Sequence, residues 1–172
     1  MSKIAVYEVP NTDIRYIIKQ GNEFVDAEKA WELLKKESWW KDAHIIRFLT
    51  AILNSRCYSV LRITEVNTEE GEVKDQYEFI GMLRVITDYA TFAYIDDVVI
   101  DPAYQGLGIG SVLNNFVLED KNLAVVRRWL LIAGEKVRTF YSKFGFKEVN
   151  KDIFFELYNG EAYKHDNDKM EK

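Results

Sequence analysis

The chain has 172 residues, 48% of them apolar and 30% charged, with a formal net charge of −5 and a pI near 5.2. This length bounds it to one domain with a real core, and the acidic balance argues against nucleic acid as a main partner. A single cysteine, Cys57, rules out an internal disulfide framework or a thiolate zinc site, while the lack of a membrane-length apolar run and the polar start Met1-Ser2-Lys3 point to a cytoplasmic protein with no membrane partner.

In chain order, Ile14 to Lys19 reads as a first strand. Asp26 is placed to cap a helix whose Ala27, Ala30, Trp31 and Leu34 form an amphipathic face. A second helix follows Trp39-Trp40, with Ile45, Phe48, Leu49, Ile52 and Leu53 on its stripe. Cys57 to Thr64 and Tyr77 to Ile86 read as strands joined by the acidic stretch 67–75, an expected exposed hairpin loop, and Cys57 as a small core hydrophobe. Phe92 to Ile100 is the next strand, and a helix with Val112, Leu113, Phe116 and Val117 on one face comes after it. Trp129 to Ala133 follows as a strand, then a helical run carrying Val137, Phe140, Tyr141 and Phe144, and Phe146 to Val149 and Ile153 to Tyr158 as a final pair of strands. The expected order is β-α-α-β-β-β-α-β-α-β-β, an α/β fold over residues 1–160, with 161–172 a charged, frayed tail and no internal repeat.

The most informative stretch runs from Ile100-Asp-Pro-Ala-Tyr through Gln105-Gly106-Leu107-Gly108-Ile109-Gly110 to Ser111. Strand, glycine-dense loop and helix N-terminus in succession make an anion site. Glycines allow close backbone approach, and the first helical turn offers unpaired N–H groups at the positive end of the macrodipole. The dinucleotide pattern G-x-G-x-x-G fails at Ser111, and the G-x-x-x-x-G-K-[ST] pattern is missing, so neither a Rossmann oxidoreductase nor a nucleotide P-loop fits. About thirty residues on comes Phe140-Tyr141-Ser142-Lys143-Phe144-Gly145-Phe146. His44, at a helix start, and His165, in the tail, have no partners arranged for a triad or a metal.

Gln105-x-x-Gly108-x-Gly110 after Val98-Val99-Ile100-Asp101-Pro102, followed by Tyr141-x-x-Phe144-Gly145-Phe146, resembles the two signatures of the GNAT superfamily of N-acetyltransferases, over roughly residues 75 to 158. The resemblance implies a mixed central sheet flanked by helices, acetyl-CoA as co-substrate, no metal, and a small amine acceptor, in a monomer or homodimer. It implies that main-chain groups of Gln105, Gly106, Leu107, Gly108, Ile109, Gly110 and Ser111 hold the pyrophosphate. It places Val98, Val99 and Ile100 along the pantetheine arm, with the Val98 N–H toward the thioester carbonyl, and gives Tyr141 the role of general acid. Alternation along the strand sets Tyr94 and Asp96 on one face with Val98 and turns Asp97 away. By position Asp96 is then the candidate base with Tyr94 in support; the equal alternative is that both carboxylates are structural at a strand bulge and an ordered water chain removes the proton. Trp39, Trp40 and Asp88 are candidates for the acceptor site, through an aromatic face and negative charge for a cationic amine, with at least one tryptophan a core anchor. Gln105 and Leu107 stand where many members carry basic residues, which removes possible phosphate charge pairs. A non-catalytic acyl-CoA-binding module of the same fold is the alternative reading.

Overall fold

The computed structural model describes residues 5–36, 39–68 and 71–149, with the Trp39 side chain excluded. They form one sheet in the spatial order β1-β2-β3-β4-β5-β6, made of β1 (Val6–Glu8), β2 (Arg15–Gln20), β3 (Arg56–Asn67), β4 (Val73–Thr87), β5 (Phe92–Ile100) and β6 (Arg128–Leu131). Neighbours are antiparallel except β5 and β6, which run parallel. The helices are α1 (Ala27–Leu34), α2 (Ile45–Leu53), α3 (Ile109–Leu118) and α4 (Arg138–Ser142).

Both faces of the sheet are covered. On one, α1 and α2 bury Ala30, Leu34, Phe48 and Ile52 against Ile17, Cys57, Leu61, Ile63, Phe79 and Met82. On the other, α3 buries Ile109, Leu113 and Val117 against Tyr58, Val60, Ile80, Leu83, Val85, Ala93 and Ile95. Each fully buried side chain of this size contributes about 1.5–3 kcal/mol. As expected, Asp26 caps α1, its carboxylate accepting from the Lys29 N–H at 3.0 Å. His44 caps α2, with Nδ1 accepting from the Ile46 N–H at 3.3 Å. Cys57 is buried, and desolvation pushes its thiol up to about 12. Among the described residues no helix is long and apolar enough to cross a membrane.

Several elements differ from the reading of the sequence. A short strand, β1, precedes the first expected one; Val6-Tyr7-Glu8 carries little periodic signal, and it is the pairing of Tyr7 with Tyr16, rings stacked at 5.4 Å, that recruits it. The two strands extend into the stretch 67–75, taking in Asn67 at one end and Val73 to Asp75 at the other. Glu65 pairs with Asp75, Val66 with Lys74 and Asn67 with Val73, because backbone hydrogen bonding extends the hairpin whatever the side-chain polarity. Among the described residues Phe146 to Val149 are not paired as a strand, and β6 ends at Leu131 rather than Ala133. Residues Ile153 to Tyr158, the tail 161–172 and His165 lie outside the described residues.

Candidate active site

The glycine loop opens where β5 ends. The Asp101 N–H closes onto the Ile80 carbonyl at 2.8 Å, and its carboxylate accepts from the Ala103 N–H at 3.0 Å, starting the turn Pro102–Tyr104. The Gln105 side-chain amide donates to the Ile100 carbonyl at 2.8 Å, so Gln105 serves the loop with its side chain as well as its main chain. Gly106 and Gly108 sit in the left-handed region, φ 77° and 80°, and at either one a β-carbon would meet no atom within 4 Å. Gly108 caps α3 without a side chain, and its carbonyl accepts from the Ser111 and Val112 N–H groups at 3.0 and 3.2 Å. Among the described residues the N–H groups of Gly106, Leu107, Gly108, Ile109 and Gly110 have no protein acceptor. Of these, Gly106, Gly108, Ile109 and Gly110 line a hollow of about 280 Å³ together with Gln105, Ser111, Ile100, Tyr104 and Phe140. The Ile109 side chain is buried and Leu107 packs on the core, so neither side chain is offered to a ligand here. Donors without acceptors beside the positive end of a ten-residue helix suit a phosphate.

Next to the loop the sheet parts. β6 pairs with β5 only from Phe92 to Ile95, leaving Asp96 to Ile100 without a β6 neighbour. A bulge coincides with that parting: Met82 pairs with Val99 and Arg84 with Asp96, so Asp97 and Val98 together face Leu83. Asp97 has φ 45°, which a non-glycine residue rarely adopts. The bulge corrects the expected face of Val98. Ala93 and Ile95 belong to the core under α3; unbroken alternation would send Val98 to the other side with Tyr94 and Asp96, yet Val98 packs on that same core while Val99 packs under α1 and α2. The inserted residue reverses the phase of the strand.

Two adjacent carboxylates share one guanidinium here. Arg84 donates through Nη2 to Asp96 Oδ2 at 2.6 Å, through Nε to Asp97 Oδ2 at 2.7 Å and through Nη1 to Ser55 Oγ at 2.9 Å. The other Asp96 oxygen accepts from the Asp97 N–H at 3.0 Å, and the other Asp97 oxygen from the Trp40 indole N–H at 2.6 Å. Burial, then the charge of Asp97, raises the pKa of Asp96 against the pull of Arg84. Every oxygen of the pair is engaged, which is the arrangement of structural carboxylates at a bulge. Trp40, 3% exposed, is a core anchor whose ring stacks edge-on against Phe48 at 5.2 Å, leaving no open face for a substrate cation. Trp39 starts the turn Trp39–Asp42, and its side chain lies outside the described residues. Asp88 sits at the exposed β4–β5 turn, away from the loop end of β5, and its carboxylate accepts from the N–H groups of Ala90, Thr91 and Phe92 and the Thr91 hydroxyl. Those bonds hold its pKa well below the usual carboxylate range and tie its carboxylate into the turn.

Tyr141 lies on α4, with its ring edge-on to Phe140 at 5.0 Å and to Phe146 at 6.0 Å. Phe140 reaches the glycine loop, 3.8 Å from where a β-carbon on Gly110 would lie, so α4 joins the two sequence signatures in space. Burial and, after it, the charge of Asp96 raise the Tyr141 pKa, keeping the phenol protonated at neutral pH beside the parted strands. Tyr94 is half-buried on β5 and stacks on Phe92 at 6.5 Å. Arg84 was not singled out in the sequence. Its signal was there, a lone cation in the apolar run Ile80 to Ile86, since a charge inside a strand buried on both faces requires partners. Among the described residues no cluster of three His, Cys, Asp or Glu side chains is placed to hold a metal.

Comparison with known proteins agrees with this geometry. Residues 68–148 match the family described as Acetyltransferase (GNAT) domain. The chain is 30% identical over 139 residues to "Histone acetyltransferase TAP1" of Glycine max, covering 80% of this chain and 59% of that protein. It is 31% identical over 124 residues to "Putative acetyltransferase FG08082" of Gibberella zeae, covering 66% of this chain and 68% of that protein. The chain thus spans little more than half the length of the Glycine max relative. A crystal structure of a GNAT-family protein from Xanthomonas campestris pv. campestris superposes with a TM-score of 0.72 at 25% identity, over 86% of this chain and 96% of that one. With both signatures meeting at one parted pair of strands, and with relatives of this kind across most of its length, the chain belongs to the GNAT family of acetyltransferases.

Proposed function

We propose that the protein is an acetyl-CoA-dependent N-acetyltransferase that transfers acetyl to a primary amine by direct attack in a ternary complex. The observation that carries this is the row of acceptor-free N–H groups from Gly106 to Gly110, directly beside the strand edge that β6 leaves unpaired. The row offers hydrogen bonds and a helix dipole to a pyrophosphate, and the free edge of Asp96 to Ile100 offers strand-like pairing to the pantetheine arm, with Val99 and Ile100 alongside it. The Val98 N–H, on the bulge, is the donor assigned to the thioester carbonyl, where negative charge develops as nitrogen attacks. The C–N bond forms and the C–S bond breaks. Tyr141 gives its hydroxyl proton to the departing thiolate, which a phenol with a raised pKa is suited to do.

The amine's own proton needs another outlet, because only about one alkylamine in a thousand is neutral at pH 7. With both Asp96 oxygens held by Arg84 and the Asp97 N–H, an ordered water chain from the cleft removes that proton, while the Asp96 carboxylate contributes its field. The family's relatives differ in acceptor, and the class assigned here is a small primary amine. Thiol release from acetyl-CoA, followed across an amine panel, tests the reading. Turnover with an amine supports it, and acetyl-CoA binding with no thiol release from any amine would instead favour an acyl-CoA-binding module that has lost catalysis.

A further inference from the structure

One buried network reaches the parting of β5 and β6 from three other elements. Arg84 comes from β4, Ser55 follows α2, and Trp40 belongs to the turn ahead of α2. The Arg84 and Asp97 side chains are 5% and 0% exposed. Both Asp97 carboxylate oxygens are filled, one by Trp40 and one by Arg84, so the residue with the unfavourable φ is gripped from opposite directions. Such a backbone conformation persists only where its surroundings over-determine it. Asp96 and Asp97 also carry two like charges against one guanidinium, so that losing the Arg84 fork would set them against each other and open the bulge.

We propose that Trp40 and Arg84 are positioning residues: acting through Asp97, they hold the β5 bulge in the shape that presents the Val98 N–H at the cleft, and they tie the segment between α1 and α2 to that shape. The inference rests on the acetyltransfer reading above for its kinetic arm only. A second, half-buried network serves as its control, in which Asp120 accepts from Arg56 at 2.7 Å and from the Tyr58 hydroxyl at 2.6 Å, linking β3 to the end of α3 without touching the bulge.

The test compares Trp40→Phe, which deletes the indole N–H and keeps an aromatic core side chain, with Asp120→Asn in the full chain. Trp40→Phe is expected to lower kcat by about 10- to 100-fold, the scale of small misplacements of reacting groups, with the acetyl-CoA Kd unchanged. It is also expected to speed amide hydrogen exchange at Asp97, Val98 and Val99. Asp120→Asn should lose stability yet leave kcat and those three amides as they are. Arg84→Lys, which keeps the charge but loses the fork, should repeat the Trp40→Phe pattern and stands in for it if that variant does not fold. The proposal is overturned if Trp40→Phe keeps wild-type kcat and exchange, or if Asp120→Asn moves both as far. Should the wild type turn over no amine, the acetyltransfer reading fails by itself, and the exchange comparison alone decides this one.

Discussion

Gly108 and Gly110 make opposite predictions about stability and the same prediction about binding. At Gly108, φ is 80° and a β-carbon would meet nothing within 4 Å, so alanine adds no clash and only the left-handed penalty. That penalty is about 1–2 kcal/mol, or roughly 2–8 °C in Tm for a chain of this size. At Gly110, inside α3, a β-carbon would rest 3.8 Å from the Phe140 ring, an ordinary contact. Alanine there should therefore stabilise the protein by about 0.5–1 kcal/mol through helix propensity. Both substitutions nevertheless put a methyl group where the pyrophosphate is assigned. Losing one hydrogen bond to a charged group costs about 1.5–3 kcal/mol, which at 1.4 kcal/mol per decade weakens acetyl-CoA about 10- to 150-fold. Calorimetric titration of each variant with acetyl-CoA, paired with thermal unfolding, reads both quantities. A Gly110→Ala protein that is more stable and binds acetyl-CoA with wild-type affinity would refute the phosphate assignment, because misfolding could not be the excuse.

Tyr141→Phe should lower kcat by about 100-fold and leave the acetyl-CoA Kd alone; near-normal turnover would mean that water protonates the thiolate. Since burial and Asp96 raise the Tyr141 pKa, the donor is intact throughout neutral pH, and kcat should decline for want of it only above a pH of about 10. Asp96→Asn should lower kcat/KM without recovery at high pH, as expected of a carboxylate held by Arg84; rescue by alkali would instead make Asp96 the base. Gly81→Ala drives a β-carbon to 2.6 Å from the Val99 carbonyl and should cost about 1–3 kcal/mol in denaturant unfolding. Burial raises the Asp120 carboxyl, but the Tyr58 hydroxyl, the Asn122 N–H and Arg56 outweigh it and leave its pKa lowered. Its stabilising contribution is therefore present above a pH of about 4 and lost as pH falls further, and acid unfolding of Asp120→Asn should lack that component.

Periodicity and caps determine much of this protein's local structure. Asp26 and the stripe through Phe48 and Ile52 located α1 and α2, and the glycine spacing from Gln105 to Gly110 located the loop, because helix faces, caps and left-handed turns depend on residues near in sequence, whereas the His44 cap emerged only with the fold. The place of Tyr141 on a short helix was legible for the same reason. The placement of Val98, Asp96 and Trp40 was not. Strand alternation sets the side of a residue only while the register is unbroken, and the bulge at Asp97 is maintained by Arg84, 13 positions away, and Trp40, 57 positions away. Nor could composition show that the Asp88 carboxylate is tied into the turn around it, or that β6 leaves β5 after Ile95. Local chemistry wrote the elements and the glycine loop into the chain; which carboxylates are engaged, and which strand edge stays open, depended on contacts that exist only once distant segments have packed.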